Sequence, residues 1–302
     1  MIGAEKTAIR SLAGIALAVA LFGLGGLKPA PAVDIVTIVT IVAAENIYGD
    51  VAAQIGGAHA AVTSLISNPS QDPHLFEATP SAVRAIADAR IVILNGADYD
   101  PWMEKLIKSA PNPQRGVVSA AAIMGRKPGD NPHLWYDPAT LPRVAKAIAA
   151  VLTAADPAHA ADYAANLATL TASFKRIDAR VAALGARYKG VPVTATEPVF
   201  GPMARAIGLT MRNERFQLAM MNGTEPTAHD LAEIERDLKE KRVKALIYNA
   251  QVSELMSTRL RALAAASHIP VVPVTETLPA GMHVQDWLLS ELDALDKALS
   301  TQ

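Results

Sequence analysis

The chain has no cysteine among its 302 residues. Without thiols there is no disulfide to staple the fold, and no cysteine on which a lipid anchor could be built after an export signal. An excess of one charge is also lacking. Lys and Arg number 28 against 29 Asp and Glu, a formal net charge of -1. That balance excludes the basic surface nucleic-acid binding requires. Beyond residue 32 no stretch stays apolar for the ~20 residues a membrane span needs. Two catalytic signatures are missing as well: there is no His-Glu-x-x-His run and no Gly-x-Ser-x-Gly elbow.

One long apolar run is present, at the start. Lys6 and Arg10 precede an uncharged stretch over 12–27, and Ala30-Pro31-Ala32 offers small residues at the spacing of a signal-peptidase site. The pattern predicts a secretory signal peptide over 1–32, cleaved near Ala32. The remaining ~270 residues can bury a substantial core in one large domain or two. The mature chain is expected to be soluble, in a periplasm or outside the cell.

Val- and Ile-rich runs alternate with helical patterns. Strands are predicted over 35–42, 62–67 and 91–95, with helices over 47–55, 81–89, 101–109 and 141–155. This alternation implies a mostly parallel α/β sheet. Asp156-Pro157 then supplies a helix cap and a first-turn proline. Leu167, Leu170, Phe174, Ile177, Val181 and Leu184 follow at steps of three and four, one apolar stripe on a helix over about 157–187. At 1.5 Å per residue it would be roughly 45 Å long, enough to run alongside two lobes. A second α/β pattern follows: strands over 191–196, 243–248 and 271–274, helices over 200–207, 228–241, 252–267 and 283–299. The expected domains are therefore a signal peptide 1–32, an N-terminal α/β lobe 33–155, a connecting helix 156–188 and a C-terminal α/β lobe 189–302.

The residues that stand out chemically are two histidines in near-duplicate settings, Asp72-Pro73-His74-Leu75-Phe76-Glu77 and Asn131-Pro132-His133-Leu134-Trp135-Tyr136-Asp137. Each follows a proline that restricts the local backbone, and each sits where a turn-rich stretch meets apolar residues. A histidine presented that way is a good metal ligand. Glu197 and Glu276 lie just past predicted strand ends, where open parallel sheets bind ligands. Glu45 also lies past a strand and reads as an acid at a helix start. Trp135 and Tyr136 read as packing that excludes water. The amides of Asn249 and Gln251 could bond loops across a cleft. His159, His229, His268 and His283 read as surface or cap residues, and Met220-Met221 as core.

With these pieces assembled, the chain resembles the metal-binding solute receptors of bacterial ABC importers, the zinc and manganese class that also includes surface adhesins. The resemblance rests on Ala44-Glu45-Asn46-Ile47-Tyr48-Gly49-Asp50, the two histidine segments, Asn95-Gly96-Ala97-Asp98-Tyr99-Asp100-Pro101-Trp102 and Thr196-Glu197-Pro198-Val199-Phe200-Gly201. It implies two similar α/β lobes with mostly parallel sheets, joined by one long rigid helix, with a single metal site in the interlobe cleft. By position the implied ligands are His74, His133, Glu197 and Glu276. The third position is histidine in many zinc receptors and glutamate in manganese receptors. The fourth is usually aspartate; Glu276 is one methylene longer, and the alternative there is a water with Glu276 behind it. The His-rich insertion common in zinc receptors has no counterpart, since 111–130 holds no histidine.

The resemblance thus implies a periplasmic receptor that carries one divalent ion, Mn²⁺ or Zn²⁺, as cargo to a membrane permease. It implies a monomer and no catalytic activity. Two imidazoles and two carboxylates lean slightly toward Mn²⁺. The rival readings are a secreted zinc metallohydrolase, which would need an open coordination position, and a periplasmic metal chaperone or adhesin.

Overall fold

The structure, a computed structural model, describes residues 38–68, 76–252 and 255–301. The predicted signal peptide and His74 lie outside these residues. Among the described residues no helix is long and apolar enough to cross a membrane.

The first half runs β1 (Val39–Glu45), α1 (Asn46–Gly56), β2 (Ala60–Ile66), α2 (Pro80–Asp88), β3 (Ile91–Leu94), α3 (Pro101–Ser109), β4 (Gly116–Ser119), α4 (Ala120–Met124) and α5 (Thr140–Ala155). The long helix α6 (Ala160–Tyr188) follows. The second half runs β5 (Pro192–Ala195), α7 (Gly201–Ile207), β6 (Thr210–Arg212), α8 (Glu214–Met221), α9 (Ala228–Lys239), β7 (Leu246–Asn249), α10 (Leu255–Ala266), β8 (Val271–Val274) and α11 (Val284–Ser300). The sheets are ordered β2-β1-β3-β4 and β6-β5-β7-β8, the same winding twice. All pairings within them are parallel. The two α/β lobes read from the sequence are present.

Successive side chains on a strand face opposite ways, so a strand buried on both faces contributes to two cores. Ile41, Ala43, Ile91 and Ile93 belong to one apolar cluster, while Val42, Ala44, Val92 and Leu94 join another with Ile86, Met103 and Leu106 of α2 and α3. In the second sheet Ile247, Val272 and Val274 face the first cluster, and Leu246 faces a separate one with Phe216, Ile234 and Leu260. The first cluster is common to both lobes. Helix α6 helps to unite it: Tyr163, Leu170, Phe174, Ile177, Val181, Leu184 and Tyr188 form its buried stripe. Helix α6 packs on α1 and α5 of one lobe and on α7 and α11 of the other. Arg180 donates to Asp293 and Asp296 of α11 at 2.9 Å each, and Tyr188 donates to Asp296 at 2.6 Å.

The elements β4, α4, β6 and α8 differ from the expectation in being present at all. Their lengths are 4, 5, 3 and 8 residues. The two strands pair at sheet edges and are mostly exposed or half-buried, so neither shows as an apolar run. Strand β1 runs past its apolar core to Glu45 because the ladder continues to the pair Glu45–Ile66. The connecting helix opens with a separate 3₁₀ turn, Pro157–His159, before α6 begins.

Candidate metal centre

In each sheet the chain first pairs one side of a central strand, β1 or β5, and then crosses to the other side. The carboxyl ends beside those strands are the crevices where such folds bind ligands. Glu45 ends β1 and Asn95 follows β3; Glu197 follows β5, Asn249 ends β7 and Glu276 follows β8. His133 comes from the loop before α5. The structure places His133 against Glu276, and Asn249 links Glu276 to Glu197. The exposures of His133, Glu197 and Glu276 are 0%, 8% and 0%.

Asn131 orients His133. Its Oδ1 accepts from His133 N at 3.0 Å and meets His133 Nδ1 at 2.9 Å. Its Nδ2 donates to Pro198 O at 2.8 Å, which fixes which end of the amide is oxygen. An amide oxygen can only accept, so Nδ1 carries the proton and Nε2 is left as the ligand nitrogen, the arrangement metal-binding histidines use. Nε2 lies 3.2 Å from Glu276 Oε2. The same amide ties the His133 loop to the peptide after Glu197, so one side chain couples two candidate ligands from different lobes.

Asn249 couples the carboxylates. Its Nδ2 donates to Glu276 Oε1 at 2.6 Å and to Glu197 Oε2 at 3.0 Å, and its Oδ1 accepts from Gln251 N at 3.0 Å. Gln251 in turn accepts from the Glu276 N–H and donates to Thr277 Oγ1 at 2.7 Å. These amides join the loops that carry Glu197 and Glu276. The cleft is bridged by Tyr99, whose hydroxyl donates to Glu276 Oε2 at 3.0 Å, and by Tyr136, whose hydroxyl donates to Thr275 O at 2.7 Å.

Glu45 departs from its reading as an acid at a helix start. It is fully buried, makes no cap bond, and neither carboxylate oxygen has a hydrogen-bond partner. Burial first, then the charge of Asp100, pushes its pKa well up. Asp100 accepts from the N–H groups of Asn95 and Gly96 at 2.7 Å each. Asn95 accepts from Tyr48 at 2.6 Å and donates to Pro132 O at 2.8 Å, which steadies the peptide before His133. Trp135 and Tyr136 are buried completely, as expected of packing around the site.

Of the remaining histidines, His159 stacks on His59 at 3.7 Å between ring centres and meets Asp156 at 2.7 Å, and His283 meets Asp50 at 2.8 Å. Each stands at the N-cap position of a helix, α6 and α11, in line with the reading as surface or cap residues. Met220 is core. Among the described residues no three His, Asp or Glu side chains are grouped closely enough to hold an ion. Asn131 had a readable signal, an Asn two residues before the histidine whose side chain can close on the backbone. Tyr99 had none.

The chain belongs to the family described as zinc-uptake complex component A, periplasmic, whose profile matches residues 41–298. That family is one of periplasmic components of a zinc-uptake complex. The manganese-binding lipoprotein MntA of Halalkalibacterium halodurans is 30% identical over 129 residues, 42% of this chain and 43% of that protein. The chain thus aligns with less than half of that relative's own length. A putative metal-binding protein of Treponema pallidum is 23% identical over 239 residues, 71% of this chain and 72% of that protein. Among solved structures, a periplasmic zinc binding protein from Treponema pallidum superposes with a TM-score of 0.73 at 18% identity, covering 87% of this chain and 99% of that one. The solute-binding protein FpvC from Pseudomonas aeruginosa, in complex with Mn²⁺, gives 0.70 at 21% identity, covering 87% and 99%. These likenesses establish the fold.

Proposed function

We propose that this chain is a periplasmic receptor that captures one divalent transition metal, Mn²⁺ or Zn²⁺, between its lobes and delivers it to an ABC-type membrane permease. The observation that supports the reading is the buried contact of His133 with Glu276, with Asn131 orienting the imidazole and Asn249 linking Glu276 to Glu197. His74, on the segment after β2, completes the proposed ligand set. Two carboxylates neutralise a divalent ion, so the filled site needs no further counter-charge. In this reading the leader 1–32 is removed on export, the lobes 33–155 and 189–302 are bridged by 156–188, and the receptor works as a monomer. Relatives named for manganese and iron and a structural neighbour named for zinc are consistent with a mixed nitrogen–oxygen donor set. By the Irving–Williams order Zn²⁺ binds at least as tightly as Mn²⁺ to such ligands, so the biological cargo is decided by supply as well as by affinity.

Elemental analysis of protein purified from periplasm tests this, with His74→Ala and His133→Ala beside the wild type. About one Mn or Zn per chain, lost in both variants, is expected. Wild-type protein that takes up neither ion in a calorimetric titration would overturn the proposal. Metal retained by both variants would overturn the ligand assignment.

A further inference from the structure

We infer that Tyr99 is a positioning residue that sets how Glu276 presents its carboxylate to the ion, and through this the balance between Mn²⁺ and Zn²⁺. The inference rests on the metal-receptor reading above.

The first observation is that both oxygens of Glu276 are held by donors from opposite sides. Tyr99, from the first lobe, donates to Oε2 at 3.0 Å, and Asn249, from the second, donates to Oε1 at 2.6 Å. A carboxylate anchored at both ends resists the rotation that would set its two oxygens equidistant from one cation, so it coordinates through one oxygen. Chelation through both would raise the coordination number. Harder, oxygen-preferring Mn²⁺ accommodates that, whereas Zn²⁺ is satisfied by a tetrahedron. The tyrosine hydroxyl therefore holds the site toward low coordination.

The second observation is that the chain spends local strain to put that hydroxyl there. Gly96, Ala97 and Asp98 are consecutive left-handed residues, with φ of 78°, 53° and 62°. Ala and Asp adopt such angles only where the surroundings over-determine them. Here Asp100 ties the turn to the Asn95 and Gly96 N–H groups, and Tyr99 N donates to Gly96 O at 3.2 Å. A Cβ on Gly96 would come within 2.8 Å of the Ala121 Cβ, so the turn also sits tight against α4. What this turn delivers into the cleft is Tyr99.

The third observation is that the ring packs edge-on against His133 at 6.0 Å and Trp135 at 5.0 Å. Tyr99→Phe keeps that packing and removes only the hydroxyl.

The test titrates wild type and Tyr99→Phe separately with Mn²⁺ and Zn²⁺. It also records the carboxylate stretching bands and the Mn²⁺ electron paramagnetic resonance spectrum of each Mn-loaded protein. The wild type is expected to show the widely split bands of one-oxygen coordination. Tyr99→Phe is expected to shift the ratio of the two dissociation constants toward Mn²⁺ by about tenfold, within the range seen when groups behind a ligand are removed. Narrower band splitting and an altered Mn²⁺ spectrum should accompany that shift. An unchanged ratio, or equal weakening for both ions as from a merely structural role, would overturn the inference. So would wild-type bands of two-oxygen coordination, a result that needs no variant to fold. A wild type that binds neither ion would instead bring down the receptor reading itself.

Discussion

Asn131 shows how much one side chain can decide. It sets the tautomer of His133 and holds the peptide after Glu197, so Asn131→Ala removes three hydrogen bonds at once. Metal affinity should fall about 10–100-fold by calorimetry, with helix content unchanged, as for other groups that orient a ligand. Asn131→Asp keeps an acceptor for the His133 ring and should lose less. Glu291 is the second residue with a readable consequence. It accepts from Trp287 Nε1 at 3.0 Å and from Thr275 N at 3.2 Å. Burial nevertheless pushes its pKa up from near 4.5 to about 8. Its folded pKa is above its unfolded one, so the native state binds more protons between roughly pH 5 and 8. Its contribution to stability is present at the low end of that window and is lost as pH rises through it. Glu291→Gln should therefore flatten the fall in stability between pH 5 and 9, by an amount on the order of a few kcal/mol. Denaturant melts across that range check it, and parallel curves for the two proteins would contradict it.

At the scale of elements, the two lobes meet along one stripe of α1. Asn46, Asp50 and Gln54 recur every fourth residue and so share a face. Asn46 donates to Leu278 O at 2.8 Å and accepts from Leu278 N at 2.9 Å. Asp50 accepts from Val284 N at 2.8 Å and so caps α11 of the other lobe from outside it. Gln54 and Gln285 exchange amide bonds at 3.1 and 3.0 Å. Losing a helix cap costs about 1–2 kcal/mol. Asp50→Ala should lower the unfolding free energy by that amount, read as a lower urea midpoint at constant slope. It should leave the Kd for metal within a fewfold, since Asp50 bonds His283 and Val284 and no candidate ligand. A fall in affinity as large as that of Asn131→Ala would show instead that this seam positions Glu276.

For the whole molecule, the shared core predicts cooperativity. One apolar cluster runs through both lobes and along α6, so neither lobe can unfold without exposing it. A single calorimetric transition is expected, and two resolved transitions would contradict it. Metal at a thousandfold over its Kd should stabilise the native state by about 4 kcal/mol, a rise of roughly 10 °C in Tm for a chain of this size. A helix seated against both lobes also opposes a wide hinge motion. Small-angle scattering with and without metal should therefore give nearly equal radii of gyration.

How much of this could be read beforehand follows from range. The stripe from Leu170 to Leu184, the Val/Ile runs of β1 and β3, and the two Pro-His turns are local patterns. The amino-acid sequence by itself therefore determined the α/β alternation and the long helix, and offered the candidates His74, His133, Glu197 and Glu276, the first of which lies outside the described residues. Edge elements as short as β6 and α4 carry too few residues to set a period, and their existence depended on neighbours. The same holds for Glu45, which the sequence places at a helix start and the fold seals inside the first lobe. Tyr99, Asn131 and Asp50 act on partners far away in the chain, 177 residues in the case of Tyr99 and Glu276. Only the tertiary structure could decide those pairings, because a hydrogen bond across a cleft depends on how two lobes dock, which no local periodicity encodes.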